Sequence, residues 1–367
     1  MVRIAYGVNS EGMGHTTRSS VAIDYLLEKG HEVHIFTSDR AYDFFIKKGY
    51  KNVYQIKGFH LIYHKDSLSN IYSTFHILKD IPKNLLPSFQ TIAKRFHEIL
   101  PEVVISDFES FTAFLGKNLG IPVISANNIS IIDKTHVESN SLSLLYPKLM
   151  AVTTAQLSTL KVDYYVIPSF FFPKTKGRNV FLTDPAVRPD ILKAKPTVGN
   201  HILVYQTSPT CLGLLKTLNK IDEKFIIYGF GKKRDRKNLT FYDFSTTRFI
   251  KHLASAKAVI IGGGFSLLSE ALYLKKPIMS VPLRRHFEQI TNAYYVEKMK
   301  FGEYHKKPTA VDVQDFILKL PMYRHYLDRY AFDAFSFPKK VEQLARKVAK
   351  APGGRRIKAL KTILFAK

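Results

Sequence analysis

The sequence predicts an α/β protein of two Rossmann-like, doubly wound domains facing across a cleft, with a basic amphipathic helical tail at the C-terminal end. Three observations carry this expectation. The chain has 367 residues, beyond the size at which a single core stops growing. A strand–turn–helix alternation begins at residue 2 and begins again near residue 195. In both halves a buried strand runs into a glycine-containing turn that opens a helix. These observations divide the chain into a first domain over 1–160, a linker over 161–194, a second domain over 195–325, and helices with a basic tail over 326–367.

In the first half, VRIAYGV reads as a buried strand, NSEGMGH as the turn, TTRSSVAIDYLLEKG as a helix closed by Gly30, and HEVHIFTS as the next strand. The alternation returns with VVISDF, the helix SFTAFLGKNLG and the strand IPVISANN. Residues 59–98, rich in aromatics, Leu and Lys without a regular period, are expected to form helices and a long connection. The prolines and charges of FLTDPAVRPDILKAK suit a linker. HILVYQTS and FIIYGFG then restart the pattern, followed by RFIKHLASA, AVIIGGG, a helix from Ser266, PIMSVPL and a helix through EQITNAYYVEKM. Beyond Val311 the chain reads as helical. Val341, Leu344 and Val348 form one apolar stripe, and Ile357, Leu360, Ile363 and Leu364 another, each flanked by Lys and Arg.

With 46% hydrophobic and 23% charged residues the chain falls in the globular range, which excludes a disordered protein. The single cysteine, Cys211, cannot form an intramolecular disulfide, and there is neither a signal-peptide layout nor an apolar run of membrane-spanning length. A cytoplasmic protein is expected. The net charge of +25 favours polyanionic partners, whether nucleic acid, anionic lipid or phosphorylated substrate. Residues 338–367 supply +9 of it and the rest of the chain +16, so body and tail are both basic.

The motifs narrow the chemistry. Gly262, Gly263 and Gly264 stand where a buried strand ends, letting the backbone approach a ligand, and the amides of the helix entered through Ser266 suit a diphosphate. Glu270, one turn further, suits ribose hydroxyls, and Glu288, Gln289 and Asn292 open the next helix with polar groups for a sugar. A bare tight turn with an exposed glutamate is the alternative for a glycine triplet taken alone. The wider set Gly263, Gly264, Ser269, Glu270, Ala271, Lys276, Pro277, Pro282, Glu288, Gln289, Asn292 and Ala293 resembles the donor-binding signature of GT-B glycosyltransferases. At the other end SEGMGHTTRS, with Gly12, Gly14 and His15, resembles the G-x-G-H loop of the MurG-like transferases and related archaeal-type enzymes, and GHEVHIFT resembles the strand that follows it.

The resemblance implies a nucleotide sugar held mainly by the second domain, with UDP the carrier, and an acceptor held by the first. It implies His15 as the base that takes the acceptor proton, and an inverting outcome. A histidine that merely ties the loop is the alternative. Asp107, at the end of the SDF strand, either orients His15, contacts the acceptor, or caps the following helix. Where some relatives carry His-Glu-Gln this chain has Asn127 and Asn128. Ser208 occupies the place of a small hydroxylated loop against the diphosphate, although Pro209 replaces the expected glycine-rich turn; Arg248 is either a phosphate partner or an exposed helix charge.

No D-x-D triplet or Cys/His metal spacing occurs, so no metal and no cofactor is expected beyond the UDP-sugar as co-substrate, with leaving-group charge met by helix N-termini and basic side chains. The expected partners are the nucleotide sugar, a lipid-linked or glycan acceptor, and an anionic membrane surface docked through the basic tail on the cytoplasmic face. Alternatively, the tail is solvated or packs on the first domain. The competing expectations are a nucleotide-sugar epimerase or hydrolase of the same fold and, ranked last, a nucleic-acid-binding protein.

Overall fold

The computed structural model describes residues 1–10, 12–57, 87–138, 162–206, 212–231, 234–284 and 286–349, together with the backbone of 63–64 and 67–68. The first half supplies β1 (Arg3–Val8), β2 (Glu32–Thr37), β3 (Val53–Gln55), a separate hairpin of β4 (Tyr63–His64) and β5 (Ser67–Leu68), β6 (Val103–Asp107) and β7 (Val123–Ala126). After them come β8 (Tyr164–Pro168) and β9 (Val180–Thr183). Apart from the hairpin, these strands form one parallel sheet in the order β3-β2-β1-β6-β7-β8-β9. Covering both faces of a parallel sheet demands apolar residues throughout, and every residue of β6 is buried. The crossovers are α1 (Met13–Glu28), α2 (Asp39–Lys47), α3 (87–99) and α4 (Ser110–Asn118), and the single turn α5 (Ile131–Lys134) follows β7.

The second sheet comprises β10 (His201–Tyr205), β11 (Lys224–Tyr228), β12 (Leu239–Phe241), β13 (Ala258–Ile261), β14 (Ile278–Ser280) and β15 (Gly302–Tyr304). Its order is β12-β11-β10-β13-β14-β15, again parallel throughout. Its helices are α7 (Leu212–Leu218), α8 (Thr246–Ser255), α9 (Phe265–Tyr273), α10 (Phe287–Lys298), α11 (Ala310–Leu318) and α12 (Leu320–Arg329), with the short α6 (Pro189–Leu192) ahead of the sheet and α13 (Ser336–Ala349) behind it. Two doubly wound domains are therefore present.

Two boundaries differ from expectation. The stretch 161–194 is not a bare connection: its alternating Tyr164–Pro168 and Val180–Thr183 runs complete the first sheet as β8 and β9. The chain also returns to the first domain at its end, where Phe337, Val341, Leu344, Ala345 and Val348 of α13 share a core with Ile4, Tyr6, Ile23 and Leu26. The stripe at 341–348 thus packs on protein, and Glu342 of the same helix accepts from His31. Residues 350–367, which carry the second stripe, lie outside the described residues, as do 58–62 and 69–86 of the aromatic segment.

Each sheet reverses its strand order once, between β1 and β6 and between β10 and β13. Beyond the carboxyl ends of the strands at such a reversal, adjacent loops diverge and leave a crevice. The N-terminal turn and Asp107 flank the first crevice; the glycine triplet flanks the second.

Candidate functional site

At the first crevice, α1 starts at Met13 with Gly12 as its cap, at φ 75° and without a side-chain cap on the free amides. His15 lies in this first turn with its side chain 13% exposed, and its Nδ1 is 2.7 Å from Oδ1 of the fully buried Asp107. The tautomer that donates Nδ1–H to Asp107 leaves the lone pair on Nε2. Arg18 donates from Nε to Asp107 Oδ2 at 3.0 Å and from Nη2 to Oδ1 at 2.5 Å, and Ser19 Oγ donates to Oδ2 at 2.8 Å. Burial alone would raise the Asp107 carboxyl, but Arg18 and His15 outweigh it and hold it below its ordinary value. Asp107 does not cap α4; Glu109 does, accepting from the amides of Phe111 and Thr112. Phe108, between these two carboxylates, takes the left-handed φ of 59° and stacks on the His15 ring at 5.7 Å. A non-glycine residue in that region is strained, and here the strain places an aromatic face against the imidazole.

At the second crevice, Gly263 has φ 82°, and a Cβ there would stand 2.8 Å from the Gln289 carbonyl oxygen and 2.9 Å from Ser280 Oγ. A Cβ on Gly262 would meet Gln206 Oε1 at 2.9 Å, whereas one on Gly264 would meet nothing within 4 Å. Gly264 caps α9 without any side-chain hydrogen bond, so the first amides of α9 are left unsatisfied by a cap. Gln206 Oε1 and Ser280 Oγ are buried without a hydrogen-bond partner among the described residues. The two helix starts come together across the cleft, since a Cβ on Gly14 would lie 2.9 Å from Ser266 Oγ.

The predicted residues behave differently from one another. Gln289 and Asn292, expected to face a sugar, are buried and brace the loops: Gln289 Oε1 accepts from the Leu283 amide at 3.0 Å and Asn292 Nδ2 donates to the Gly263 carbonyl at 2.9 Å. Glu288 does reach the cleft, accepting from Asn128 Nδ2 at 2.8 Å. Glu270, expected to hold ribose, is 4% exposed and paired with Arg188, whose Nη2 donates to Oε2 at 2.8 Å while Nε stands 2.7 Å from Oε1. Burial pushes the Glu270 carboxyl up despite that partner. Asn127 is spent locally, donating to Ser125 and accepting from the Ser130 amide. Arg248 is exposed, its guanidinium over the Tyr242 ring. Ser208 lies outside the described residues.

Sequence reasoning missed Arg18, Arg188, Gln206 and Phe108. Arg18 had a signal, being three residues after His15 and hence on the same helix face. Arg188 had none, because only the fold brings the segment before α6 against α9. A groove of about 490 Å³ lined by Ile23, Leu27, Val33, Tyr50 and Asn52 includes no predicted site residue. A cavity lined by Asn128, Phe171, Phe265, Glu288 and Asn292 lies between the domains.

Comparison with known proteins identifies the family and the fold. An uncharacterized glycosyltransferase of Methanosarcina mazei is 24% identical over 331 residues, 82% of this chain and 86% of that protein. A protein of Clostridium kluyveri, named UDP-N-acetylglucosamine–N-acetylmuramyl-(pentapeptide) pyrophosphoryl-undecaprenol N-acetylglucosamine transferase, is 24% identical over 342 residues, 85% of this chain and 89% of its own length. The crystal structure of Acinetobacter baumannii MurG superposes with a TM-score of 0.60 at 15% identity, covering 94% of this chain and 99% of MurG, which shows the shared GT-B fold. The sequence model of Glycosyl transferase family 1 matches residues 2–321, and the chain belongs to that family.

Proposed function

We propose that the protein is a metal-independent, inverting glycosyltransferase that moves a hexose or N-acetylhexosamine from a UDP-sugar to a lipid-linked acceptor at the cytoplasmic face of the membrane. The observation that carries the reading is the His15–Asp107 pair at one strand-order reversal, set opposite the uncapped start of α9 at the other. His15 Nε2 takes the acceptor hydroxyl proton as that oxygen bonds to the anomeric carbon. The bond from the anomeric carbon to the diphosphate breaks, and UDP leaves with the electron pair. The free amides of α9 and the helix dipole stabilise the growing charge on the diphosphate. Metal independence rests on the start of α9, whose amides no side chain caps and whose helix dipole supplies the charge stabilisation the leaving diphosphate needs.

Support for UDP and a lipid-linked acceptor comes from the name of the C. kluyveri relative, and support for membrane docking from the basic, apolar-striped residues after 349. No helix among the described residues is long and apolar enough to cross a membrane. Because α13 belongs to the first domain's core, the flotation test on anionic vesicles compares the full chain with 1–349, which leaves α13 in place. Equal recovery of the two in the unbound fraction removes the docking claim.

The reading as a whole is tested by thermal shift against UDP, dTDP and GDP, with UDP expected to raise Tm the most. In His15→Ala the UDP shift persists while transfer, measured as UDP released in the presence of acceptor extracts, falls by about 10²–10⁴-fold. UDP release that proceeds at full rate without any acceptor would instead identify a hydrolase.

A further inference from the structure

Asp107 is held by more than an orienting carboxylate requires. Besides His15 it takes the Nε–Nη2 edge of Arg18, whose side chain is only 4% exposed, and the hydroxyl of Ser19. The remaining nitrogen of the fork, Arg18 Nη1, donates to Asn128 Oδ1 at 2.5 Å, and Asn128 passes the connection across the cleft to Glu288 on α10. Arg18 Nη2 also stands 3.0 Å from His15 Nδ1. The charged groups of this run are Asp107 from β6, Arg18 from α1 and Glu288 from α10, and the ring face is covered by uncharged Phe108. Two carboxylates against one guanidinium leave one net negative charge, and the ring meets both signs at one atom: Asp107 Oδ1 stands 2.7 Å and Arg18 Nη2 3.0 Å from His15 Nδ1.

We propose that Arg18 is a positioning residue for His15, and that Asn128 ties it to Glu288 so that contact with the donor domain completes the setting of the base. The idea rests on the reading of His15 as the general base, and it deepens that reading by making the base depend on cleft closure. A guanidinium is suited to the task because its planar fork can hold Asp107 through two nitrogens and still present a third to Asn128.

The test uses the full chain with histidine labelled at Cε1 and titrated by NMR between about pH 5 and 9, with neither donor nor acceptor present. The His15 signal is assigned by its loss in His15→Gln. In Arg18→Met the signal titrates at a higher pH than in wild type, by about one pH unit, a tenfold change in proton affinity. In Glu288→Gln it titrates at a lower pH, by a smaller step. Should Arg18→Met not fold, Glu288→Gln reads the same run from its far end. A folded Arg18→Met whose His15 signal titrates as in wild type overturns the proposal, because the guanidinium then has no hold on the imidazole. So does an unmoved signal in Glu288→Gln, for the link across the cleft. Failure of the transferase reading shows separately, as the absence of any UDP thermal shift.

Discussion

Asp107 concentrates the physics of the site in one side chain: a carboxylate with no exposed surface, charged because Arg18 and His15 surround it. Breaking a buried ion pair by removing one partner typically costs about 3–5 kcal/mol, since the other charge stays buried alone. Asp107→Asn should therefore lower the unfolding free energy by roughly that amount at neutral pH. Its pH dependence has a definite sign. The folded-state carboxyl titrates below its ordinary value of 3.8, so its contribution is complete above about pH 4 and is lost as pH falls through the lowered value. Below about pH 4, outside the range in which histidine titrates, urea unfolding of wild type and Asp107→Asn should show a gap that narrows with further acidification. A gap that widens with acidification below about pH 4 contradicts this account. Reading the sequence reached His15 and Asp107, because a G-x-G-H turn and a strand-ending aspartate are local patterns. It did not reach Arg188 or the buried role of Gln289, because those depend on which segments the fold brings into contact.

At the scale of single elements, the turn from β13 into α9 shows how three successive glycines do different work. Gly263 needs its left-handed φ and has the Gln289 carbonyl oxygen where a Cβ would go, whereas Gly264 has an ordinary φ of −63° and open space. Gly263→Ala should destabilise by about 1–3 kcal/mol, from backbone strain and the clash together, and should abolish the UDP thermal shift. Gly264→Ala should stay within about 0.5 kcal/mol of wild type, as substitutions away from special conformations do. Paired melting curves decide it, and equal losses in the two variants would mean that the conformation of the turn is not what matters. The triplet itself was plain in the sequence; the ranking within it was not, because it depends on the side of the turn against which Ser280 and α10 pack. The C-terminal stripe teaches a related lesson. Val341, Leu344 and Val348 have the spacing of a buried helix face, but periodicity says only that such a face will be covered, not that α1 and the first sheet will cover it.

At the scale of the whole molecule, α10 is one surface that the second domain turns toward the first. Its opening turn carries Glu288, bonded to Asn128, and its far end carries Tyr294 and Lys298, which both reach the Glu138 carboxylate. Between them Tyr295 stacks on Phe171, from the loop after β8, with ring centroids 3.6 Å apart and planes 8° from parallel. The cavity enclosed beside this contact measures only about 10 Å³. Small-molecule sites typically need roughly 300–1,000 Å³, so this cavity admits a nucleotide sugar only if α10 lifts away from the first domain. Aromatic pairs contribute about 0.5–1.5 kcal/mol beyond the area they bury, enough to shift a two-state opening by up to about tenfold. Phe171→Ala should accordingly populate the open form. Small-angle scattering of the unliganded variant should give a larger radius of gyration than wild type, and UDP should bind at least as tightly, since less closure has to be undone. Turnover should fall, because the proposed base stands beside the start of α9 only when the cleft is shut. Superimposable scattering curves for the two proteins would show that the Phe171–Tyr295 stack does not hold the domains together.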